Sequence, residues 1–314
     1  MMGKWCFGID LGGTTVKCAL FQDNGTVVDK WEIVTRTENN GDAILPDIAD
    51  TVLKKIAEKG IDKAEVVGLG IGVPGPVEES GEIPCAVNLH WGRKNIEKEL
   101  GDMTGLSVKA GNDANVAALG EMWKGGGQGA KNLILVTLGT GVGGGIIVNE
   151  KILTGAHGAG GEIGHANVGK GETEACNCGN KGCLEQYASA TGIARLARMT
   201  MESETEASVL RSLKKVTAKD VFDAYKEGDK LAEKIVEKFA SYLGNALAIF
   251  ACVTDPDVFV IGGGVSKAGQ PLIDCIEKHY KECAFPACKE TPIKLATLGN
   301  DAGIYGAAKL ILGK

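Results

Sequence analysis

The chain has 314 residues, of which 44% are hydrophobic, 5% are aromatic and 46 are glycine. Its length suits two domains with sizeable aliphatic cores, and so many glycines indicate loops in which the backbone approaches a ligand. The net charge of −6, with no basic run of five residues, argues against a nucleic-acid or membrane surface.

The first part of the chain alternates strand and helix patterns. Apolar runs predict strands at 4–11, 16–21, 66–73 and 107–110, and one that ends at 34 after the turn Asp23-Asn24-Gly25. Helical spacing of apolar residues predicts helices at 42–59, 96–104 and 114–123. The glycine-rich stretch from Gly125 to Gly129 is interpreted as the joint between domains.

The second part opens by repeating the pattern of the first. Strands at 133–138 and 144–149 flank a glycine-rich turn, which indicates two domains of similar core facing each other across a cleft. Helices are predicted at 187–199, 218–225 and 231–252, a strand at 258–261, a helix to about 281, a strand at 293–296 and a last helix at 303–312 that packs back on the first domain. The predicted domains are 1–122 plus 300–314, the smaller, and 123–299, the larger.

The chain shows no signal-peptide pattern and no apolar stretch of membrane-spanning length, the longest candidate being 243–253. We therefore expect a soluble, cytoplasmic protein whose ten cysteines are mostly free thiols. Cys6, Cys18, Cys252 and Cys275 lie in apolar runs and are expected to be small buried hydrophobes.

A cysteine cluster is the strongest chemical signal. Cys176, Cys178 and Cys183 lie close together in a loop-rich segment, a spacing that favours metal ligation over disulfides in such a compartment. His165 is the nearest candidate for a fourth ligand, and a mixed Cys/His set favours zinc. The alternative for a lone histidine is a buried core residue. Glu162 and Glu185 flank the cluster as candidate polyol ligands, although Glu185 alone also fits a solvated acid in a first helical turn.

Three glycine loops each follow an apolar strand, and none is a Walker loop. Exposed backbone N–H groups and threonine hydroxyls in such loops can hold phosphate oxygens, and Asp10 before the first loop could hold Mg²⁺ through water. Gly262 to Gly264 would let an adenine ring lie against the backbone. Each loop taken singly also fits an ordinary turn. The candidate residues are Gly12, Gly13, Thr14 and Thr15, then Gly139, Thr140 and Gly141, then Gly262, Gly263 and Gly264.

Asp113 lies between a predicted strand and a predicted helix. By residue type it fits a helix N-cap, whereas a carboxylate facing a cleft at this switch suits a general base for phosphoryl transfer to an alcohol. Asn112 and Asn88 could hydrogen-bond neighbouring hydroxyls.

These segments together resemble the ROK family of repressors, open reading frames and sugar kinases, and within it the bacterial ATP-dependent glucokinases. The resemblance covers essentially the whole chain. It is carried by DLGGTTVK at 10–17, GNDAN at 111–115, LGTGVGGG at 138–145, GEIGH at 161–165 and, most specifically, CNCGNKGCLE at 176–185. His90 departs from the pattern, since relatives often have proline there.

The resemblance implies a duplicated actin/hexokinase-like (ribonuclease H-like) α/β fold of two domains with a ligand cleft between them, usually as a homodimer. It implies phosphorylation of the 6-hydroxyl of D-glucose by ATP, with Mg²⁺, in carbohydrate metabolism. Asp113 would be the general base, Asn88, Asn112, Glu162, His165 and Glu185 the sugar ligands, the segment Asp10 to Lys17 a phosphate loop, and His165, Cys176, Cys178 and Cys183 the ligands of a structural zinc.

Three alternatives stay open at this point. The sugar could instead be fructose, N-acetylmannosamine, N-acetylglucosamine or allose, because the pocket residues fit any gluco-like polyol. Polyphosphate could replace ATP as the donor. A non-catalytic sugar sensor is disfavoured by Asp113 and the phosphate loops. A DNA-binding repressor is disfavoured because there is no room for a helix-turn-helix before Trp5.

Overall fold

The computed structural model describes residues 4–78 and 80–313. The strands are β1 Trp5–Leu11, β2 Thr15–Gln22, β3 Val27–Val34, β4 Val66–Val73, β5 Glu82–Ile83, β6 Lys94–Asn95, β7 Val108–Asn112, β8 Leu133–Leu138, β9 Val142–Val148, β10 Lys151–Ile152, β11 Val258–Gly262 and β12 Ile293–Leu295. The helices are α1 Glu38–Gly41, α2 Ile44–Glu58, α3 Ile96–Thr104, α4 Asp113–Lys124, α5 Glu185–Ala188, α6 Ala190–Ser203, α7 Ala218–Lys226, α8 Lys230–Thr254, α9 Gln270–Cys283 and α10 Ala302–Leu312.

Two five-stranded sheets have the same plan, which confirms the predicted repeat. Their strand orders are β3-β2-β1-β4-β7 and β10-β9-β8-β11-β12, so the first strand of each stretch is central. On one side lies an antiparallel outer pair, β2–β3 or β9–β10, and on the other the strands run parallel. The predicted α/β class with a duplicated sheet is therefore confirmed.

The chain divides into two compact units. Unit 1 comprises the chain through Gly129, the segment Gly145–Gly161 and the chain from Leu298 onward, whereas unit 2 comprises Ala130–Gly144 and Glu162–Thr297. Unit 1 thus contains 145–161, which the sequence analysis assigned to the larger domain. The physical reason is close packing on α4, because a Cβ added at Gly145 would lie 2.6 Å from the Cβ of Ala118.

Unit 1 is a sheet covered by helices on both faces. Alternate residues of β1 point to opposite faces, since Phe7 and Ile9 join the core beneath α2 while Cys6 packs with residues of α10. α10 lies directly on the sheet, where a Cβ at Gly70 would come within 1.8 Å of the Ala307 carbonyl oxygen. The prediction that the last helix packs back on the first part of the chain is confirmed.

Unit 2 is built around α8, which packs against α5, α6, α7 and α9. With 25 residues and a mean hydropathy of 1.3 over its best window, α8 is long and apolar enough to cross a membrane by those measures, so the prediction that no stretch reaches that length is wrong. Of the most apolar 18-residue stretch of α8, 56% is buried inside the protein, as expected of a core helix. Cys252 on its outer side is exposed rather than buried as predicted, whereas Cys6, Cys18 and Cys275 are buried.

Two other predicted elements need correction. The helix predicted at 187–199 is broken at Ser189, whose backbone is extended and whose hydroxyl accepts the Gly192 N–H as the N-cap of α6. The strand predicted at 144–149 begins two residues earlier, and Asn149 and Glu150 take left-handed conformations in a turn to β10 that the sequence analysis missed.

Candidate active site

Asp113 is the first residue of α4 and is exposed. The N-cap is Asn112, whose side-chain oxygen accepts the N–H groups of Ala114 and Asn115, and an Asp113 carboxylate oxygen also accepts the Ala114 N–H at 2.8 Å. The Asn112 amide also donates to the Gly75 carbonyl oxygen at 3.1 Å, which leaves it one further N–H. Asn112 therefore holds the turn before Asp113, and its capacity to bind a hydroxyl is smaller than the sequence suggested.

The first glycine loop is the tip of the β1–β2 hairpin. Gly12 donates to the Thr15 carbonyl at 3.1 Å, and Thr35 supports the tip by donating through its hydroxyl to the Gly12 carbonyl at 2.7 Å. Gly13 and Thr14 are exposed there. The loop is thus held from behind by its own unit while its tip is accessible.

Asp10, at the end of β1, is partly buried beside this loop. Burial raises the pKa of the Asp10 carboxyl, and Lys17 acts in the opposite direction from 3.8 Å. Lys17 also donates to the Asn300 carbonyl at 3.1 Å. A Cβ at Gly303 would lie 2.6 Å from the Asp10 carboxyl carbon, so the carboxylate packs against the start of α10. This one carboxylate fits the water-mediated hold on Mg²⁺ that the sequence predicts.

Asn88 lies near the first loop, since a Cβ added at Gly13 would be 4.0 Å from the Asn88 Cβ. It is exposed on a short 3₁₀ turn that ends at His90. His90 has φ 60°, a conformation closed to proline because its ring fixes φ near −65°. The departure from the family pattern at this position therefore comes with a left-handed turn directly after Asn88.

The second glycine loop joins β8 to β9 and touches Glu185. Gly139 donates to the Gly141 carbonyl at 3.0 Å, which closes the turn. A carboxylate oxygen of Glu185 accepts the Val142 N–H at 3.0 Å, and a Cβ at Gly141 would lie 2.0 Å from that oxygen. Glu185 is therefore packed against the predicted phosphate loop and is not a freely solvated acid.

The predicted metal ligands come together in unit 2. Each of His165, Cys176, Cys178 and Cys183 offers one ligand atom, and these atoms lie within 4.8 Å of one another. Two of the separations are 3.8 Å, from Cys176 Sγ to His165 Nδ1, and 3.6 Å, between the sulfurs of Cys178 and Cys183. A tetrahedral zinc with Zn–S bonds of about 2.3 Å needs sulfurs roughly 3.8 Å apart, so the donor set fits zinc.

The thiols of the cluster differ in environment. Burial raises the pKa of Cys176 and raises that of Cys183 to about 12, whereas a hydrogen bond from the Asn180 N–H lowers the pKa of Cys178. Burial disfavours the negatively charged thiolates of Cys176 and Cys183. A bound metal cation would favour them, since cysteine binds metals as the thiolate.

His165 has one ring nitrogen on each side. Nδ1 points to the cysteines, while Nε2 lies 3.9 Å from a carboxylate oxygen of Glu162. Glu185 also contacts the cysteines. The carboxylate oxygen that does not bind the Val142 N–H lies 3.5 Å from Cys176 Sγ. The structure thus brings Glu162, His165 and Glu185 together around the cluster.

Of the third glycine stretch, Gly262 to Gly264, only one residue lines a cavity. A Cβ at Gly263 would lie 2.5 Å from the Leu138 carbonyl oxygen, and Gly262 is buried in β11, so both serve packing against β8 and its neighbours. Gly264 lines a cavity of about 360 Å³ in unit 2, a size that suits a small-molecule site. The rest of its lining matches no motif and was not predicted from the sequence: Ala190, Thr217, Ala218, Lys219, Phe222, Asp223, Lys226, Val265, Lys267 and Ala268.

Several supporting residues also escaped the sequence analysis. Gln186 accepts the N–H groups of Gly182 and Cys183, and Glu172 is a nearly buried carboxylate in the cysteine loop. Neither matches a motif. The sequence indicated them only by their position near the cysteines, where residues that orient metal ligands are often found.

Comparisons with known proteins agree on one family. The model of the ROK family matches residues 6–314. A protein of Halalkalibacterium halodurans described as glucokinase is 45% identical over 99% of this chain and 96% of its own. The crystal structure of a ROK hexokinase from Thermus thermophilus superposes with a TM-score of 0.81 at 31% identity, over 98% of this chain and 97% of that chain. A ROK family glucokinase from Streptomyces griseus, solved in complex with glucose and AMPPNP, gives 0.72 at 32% identity, over 98% of both chains.

Proposed function

The chain belongs to the ROK family, and from that premise we propose that it is an ATP-dependent glucokinase that phosphorylates the 6-hydroxyl of D-glucose. The observation that carries this proposal is the 45% identity to a glucokinase over 99% of the chain. The exposed position of Asp113 at the start of α4 supports it.

In the proposed reaction Asp113 accepts the proton of the sugar's 6-hydroxyl as its oxygen attacks the γ-phosphorus of ATP. The new P–O bond forms while the bond from the γ-phosphorus to the β,γ-bridging oxygen breaks, and ADP leaves with that oxygen. Positioning and charge stabilisation do most of the work in such a transfer. The N–H groups of the loops at Gly12 and Gly139 would stabilise the phosphate charge, and Asp10 with Lys17 would hold the Mg²⁺–ATP complex.

The sugar ligands we propose are Asn88, Asn112, Glu162, His165 and Glu185. Their amide and carboxylate groups, with one imidazole, offer the several polar contacts that a polyol needs. The support is local, since Glu162, His165 and Glu185 cluster in unit 2.

We propose zinc as a structural ion held by His165, Cys176, Cys178 and Cys183. Zinc bound there would tie these four side chains together and would supply no group for the reaction, because all four ligands of a structural site come from the protein. The adenine we assign to the cavity beside Gly264, where Val265 and Phe222 provide apolar lining. A cytoplasmic homodimer completes the proposal.

A coupled assay of ADP formation tests the function. Purified protein is given ATP with a panel of glucose, fructose, mannose, allose, N-acetylglucosamine and N-acetylmannosamine, and phosphorylated product is confirmed by mass spectrometry. We expect glucose to give the highest kcat/KM. Polyphosphate replaces ATP in a parallel arm, in which the sugar phosphate is measured because no ADP forms. A higher kcat/KM for an N-acetylhexosamine, or for polyphosphate, would replace the corresponding part of the proposal.

A further inference from the structure

A buried carboxylate in the cysteine loop has no place in the mechanism above. The side chain of Glu172 is only 6% exposed, and both its oxygens accept from one terminal nitrogen of Arg195, at 2.8 and 2.7 Å. It also accepts the Tyr187 hydroxyl at 2.7 Å and the N–H groups of Thr173 and Glu174. Burial alone would raise the pKa of Glu172, but these hydrogen bonds and the charge of Arg195 lower it to about 2.

The partners of Glu172 belong to the helices behind the loop. Tyr187 lies on α5 two residues after Glu185, and Arg195 lies on α6. The Tyr187 ring stacks on Tyr242 of α8 with centroids 4.0 Å apart, so it is anchored in the core of unit 2. A Cβ at Gly169 would lie 2.1 Å from the Tyr187 hydroxyl oxygen, so the hydroxyl packs closely against the backbone of the cysteine loop at a position that only glycine fits.

Arg195 and Gln186 extend the same fastening along the loop. Arg195 donates through Nε to the Glu174 carboxylate at 3.0 Å. Gln186 accepts from the N–H of Gly182 at 2.8 Å and of Cys183 at 3.1 Å, and donates to the Glu174 carbonyl at 3.0 Å. The loop is therefore fixed on both sides of its cysteines, and none of these contacts uses a sulfur or imidazole atom of the proposed metal ligands.

We propose that Glu172, Tyr187 and Arg195, here called the carboxylate clamp, are positioning residues for the metal and sugar sites. The clamp holds the cysteine loop in the conformation that receives zinc. Since Tyr187 and Glu185 share the single turn of α5, the clamp also fixes the carboxylate of Glu185 beside Cys176. The part that concerns sugar rests on the proposed function, whereas the part that concerns zinc does not.

Glu172→Gln tests the clamp, because it keeps the shape of the side chain and removes its charge. We measure the zinc dissociation constant by competition with a chromogenic chelator, and KM for glucose with kcat in zinc-saturated enzyme. Loss of a partner that orients metal ligands costs about 10–100-fold in metal affinity, and we expect that loss here. KM for glucose should rise while kcat stays within about twofold, since Asp113 is untouched. Tyr187→Phe, which keeps the ring stacked on Tyr242, should show a smaller loss of the same kind.

Glu237→Gln is the matched control. Glu237 also pairs with cations in unit 2, Lys278 and His279, but lies on α8, outside the clamp, so zinc affinity and KM should be unchanged. Wild-type zinc affinity in folded Glu172→Gln, or in Tyr187→Phe where Glu172→Gln does not fold, would overturn the clamp. Failure of the wild-type protein to phosphorylate glucose would instead contradict the proposed function, and the zinc measurement would still decide the clamp.

Discussion

At the scale of single residues, two adjacent polar side chains share the start of α4. Asp113 fits an N-cap by type, yet the N-cap is Asn112 one residue earlier, and Asp113 accepts only one of the same N–H groups, that of Ala114. Which of two adjacent cap-forming residues receives the N–H groups depends on backbone angles at the end of β7, and composition carries no information on those angles. A carboxylate left at the first position of a helix also has the favourable end of the helix dipole.

Asp113→Asn should lower kcat by about 10²–10⁴-fold, the usual contribution of a positioned base. KM for glucose should change little, because the cluster of Glu162, His165 and Glu185 is intact in this variant. The measurement is steady-state kinetics with glucose and ATP varied separately. Asp102→Asn, at an exposed aspartate of α3 that pairs with Lys98 at the surface, is the control and should behave as wild type. Turnover of Asp113→Asn near that of wild type would contradict the assignment of the base.

At the scale of elements, the sequence predicted well what depends on local pattern. The bounds of β1, β4, β8 and α3 were predicted within one residue, because each is a clean apolar run or an amphipathic helix between strong turn signals. The errors have physical causes of another kind. Ser189 breaks a continuous helical pattern by capping, and α8 is longer than its apolar stretch because its charged face is solvated.

The residues of the candidate site likewise divide into those with a local sequence pattern and those that only the packed fold brings together. The clustering of the cysteines with His165 and the glycine turns after the strands were predictable, because residue type and spacing carry that information, whereas the role of Asp113 as the base stays a prediction. The cavity beside Gly264 was not predictable, since Ala190, Thr217 and Phe222 come from distant parts of the chain and carry no chemical signal in one dimension. The clamp was missed for the same reason, because Glu172 and Arg195 are 23 residues apart and only the packed fold pairs them.

Glycine-to-alanine substitutions at two helical positions in unit 1 should change the free energy of unfolding in different directions. Gly306 in α10 packs against α4, and a Cβ there would lie 1.7 Å from the Val116 carbonyl oxygen. Gly306→Ala should therefore destabilise the protein by about 1–3 kcal/mol or more, by overpacking. Gly101, inside α3, has only the Leu106 carbonyl oxygen near it, at 3.5 Å, so Gly101→Ala should be neutral or stabilise by up to about 1 kcal/mol. Urea unfolding of both variants decides, and equal effects would contradict the crossing.

At the scale of the whole molecule, the chain passes between the units four times. Glu121 hydrogen-bonds to backbone groups near two of these crossings. Its side chain is 1% exposed, and its two oxygens accept the N–H of Gly126 at 2.8 Å and of Leu298 at 2.9 Å. Gly126 lies three residues before the chain leaves unit 1, and Leu298 is where it returns. One carboxylate at the end of α4 therefore ties an outgoing segment to a returning one.

Glu121→Gln replaces one accepting oxygen by an amide that cannot accept, and so leaves one of these buried N–H groups without its partner. We expect a loss of about 1–3 kcal/mol in the free energy of unfolding. Glu58→Gln, at the exposed end of α2, is the control and should stay within about 0.5 kcal/mol of wild type. Chemical denaturation measures both, and an unchanged midpoint for Glu121→Gln would show that the two segments do not depend on this carboxylate.

Zinc and the sugar should be linked through unit 2, independently of the nucleotide. His165 has one nitrogen at the cysteines and the other at Glu162, so removing the metal releases the ring from its place among the proposed sugar ligands. Metal analysis should find about one zinc per chain. A ligand at 100 times its dissociation constant stabilises the folded state by about 2.7 kcal/mol. Chelation should reduce that stabilisation for glucose and leave it for a non-hydrolysable ATP analogue, whose proposed cavity shares no lining residue with the metal ligands.

Thermal unfolding with and without each ligand checks this selective loss. Cys178→Ala should reproduce the effect of chelation, whereas Cys252→Ala, at an exposed cysteine outside the cluster, should retain both zinc and the full response to glucose. Because the carboxylate clamp still holds Glu185 when the metal is absent, the response to glucose should be weakened and not abolished. Combining Cys178→Ala with Glu172→Gln should remove what remains. A full response to glucose in Cys178→Ala would show that the metal cluster and the sugar ligands are uncoupled, despite their common residue His165.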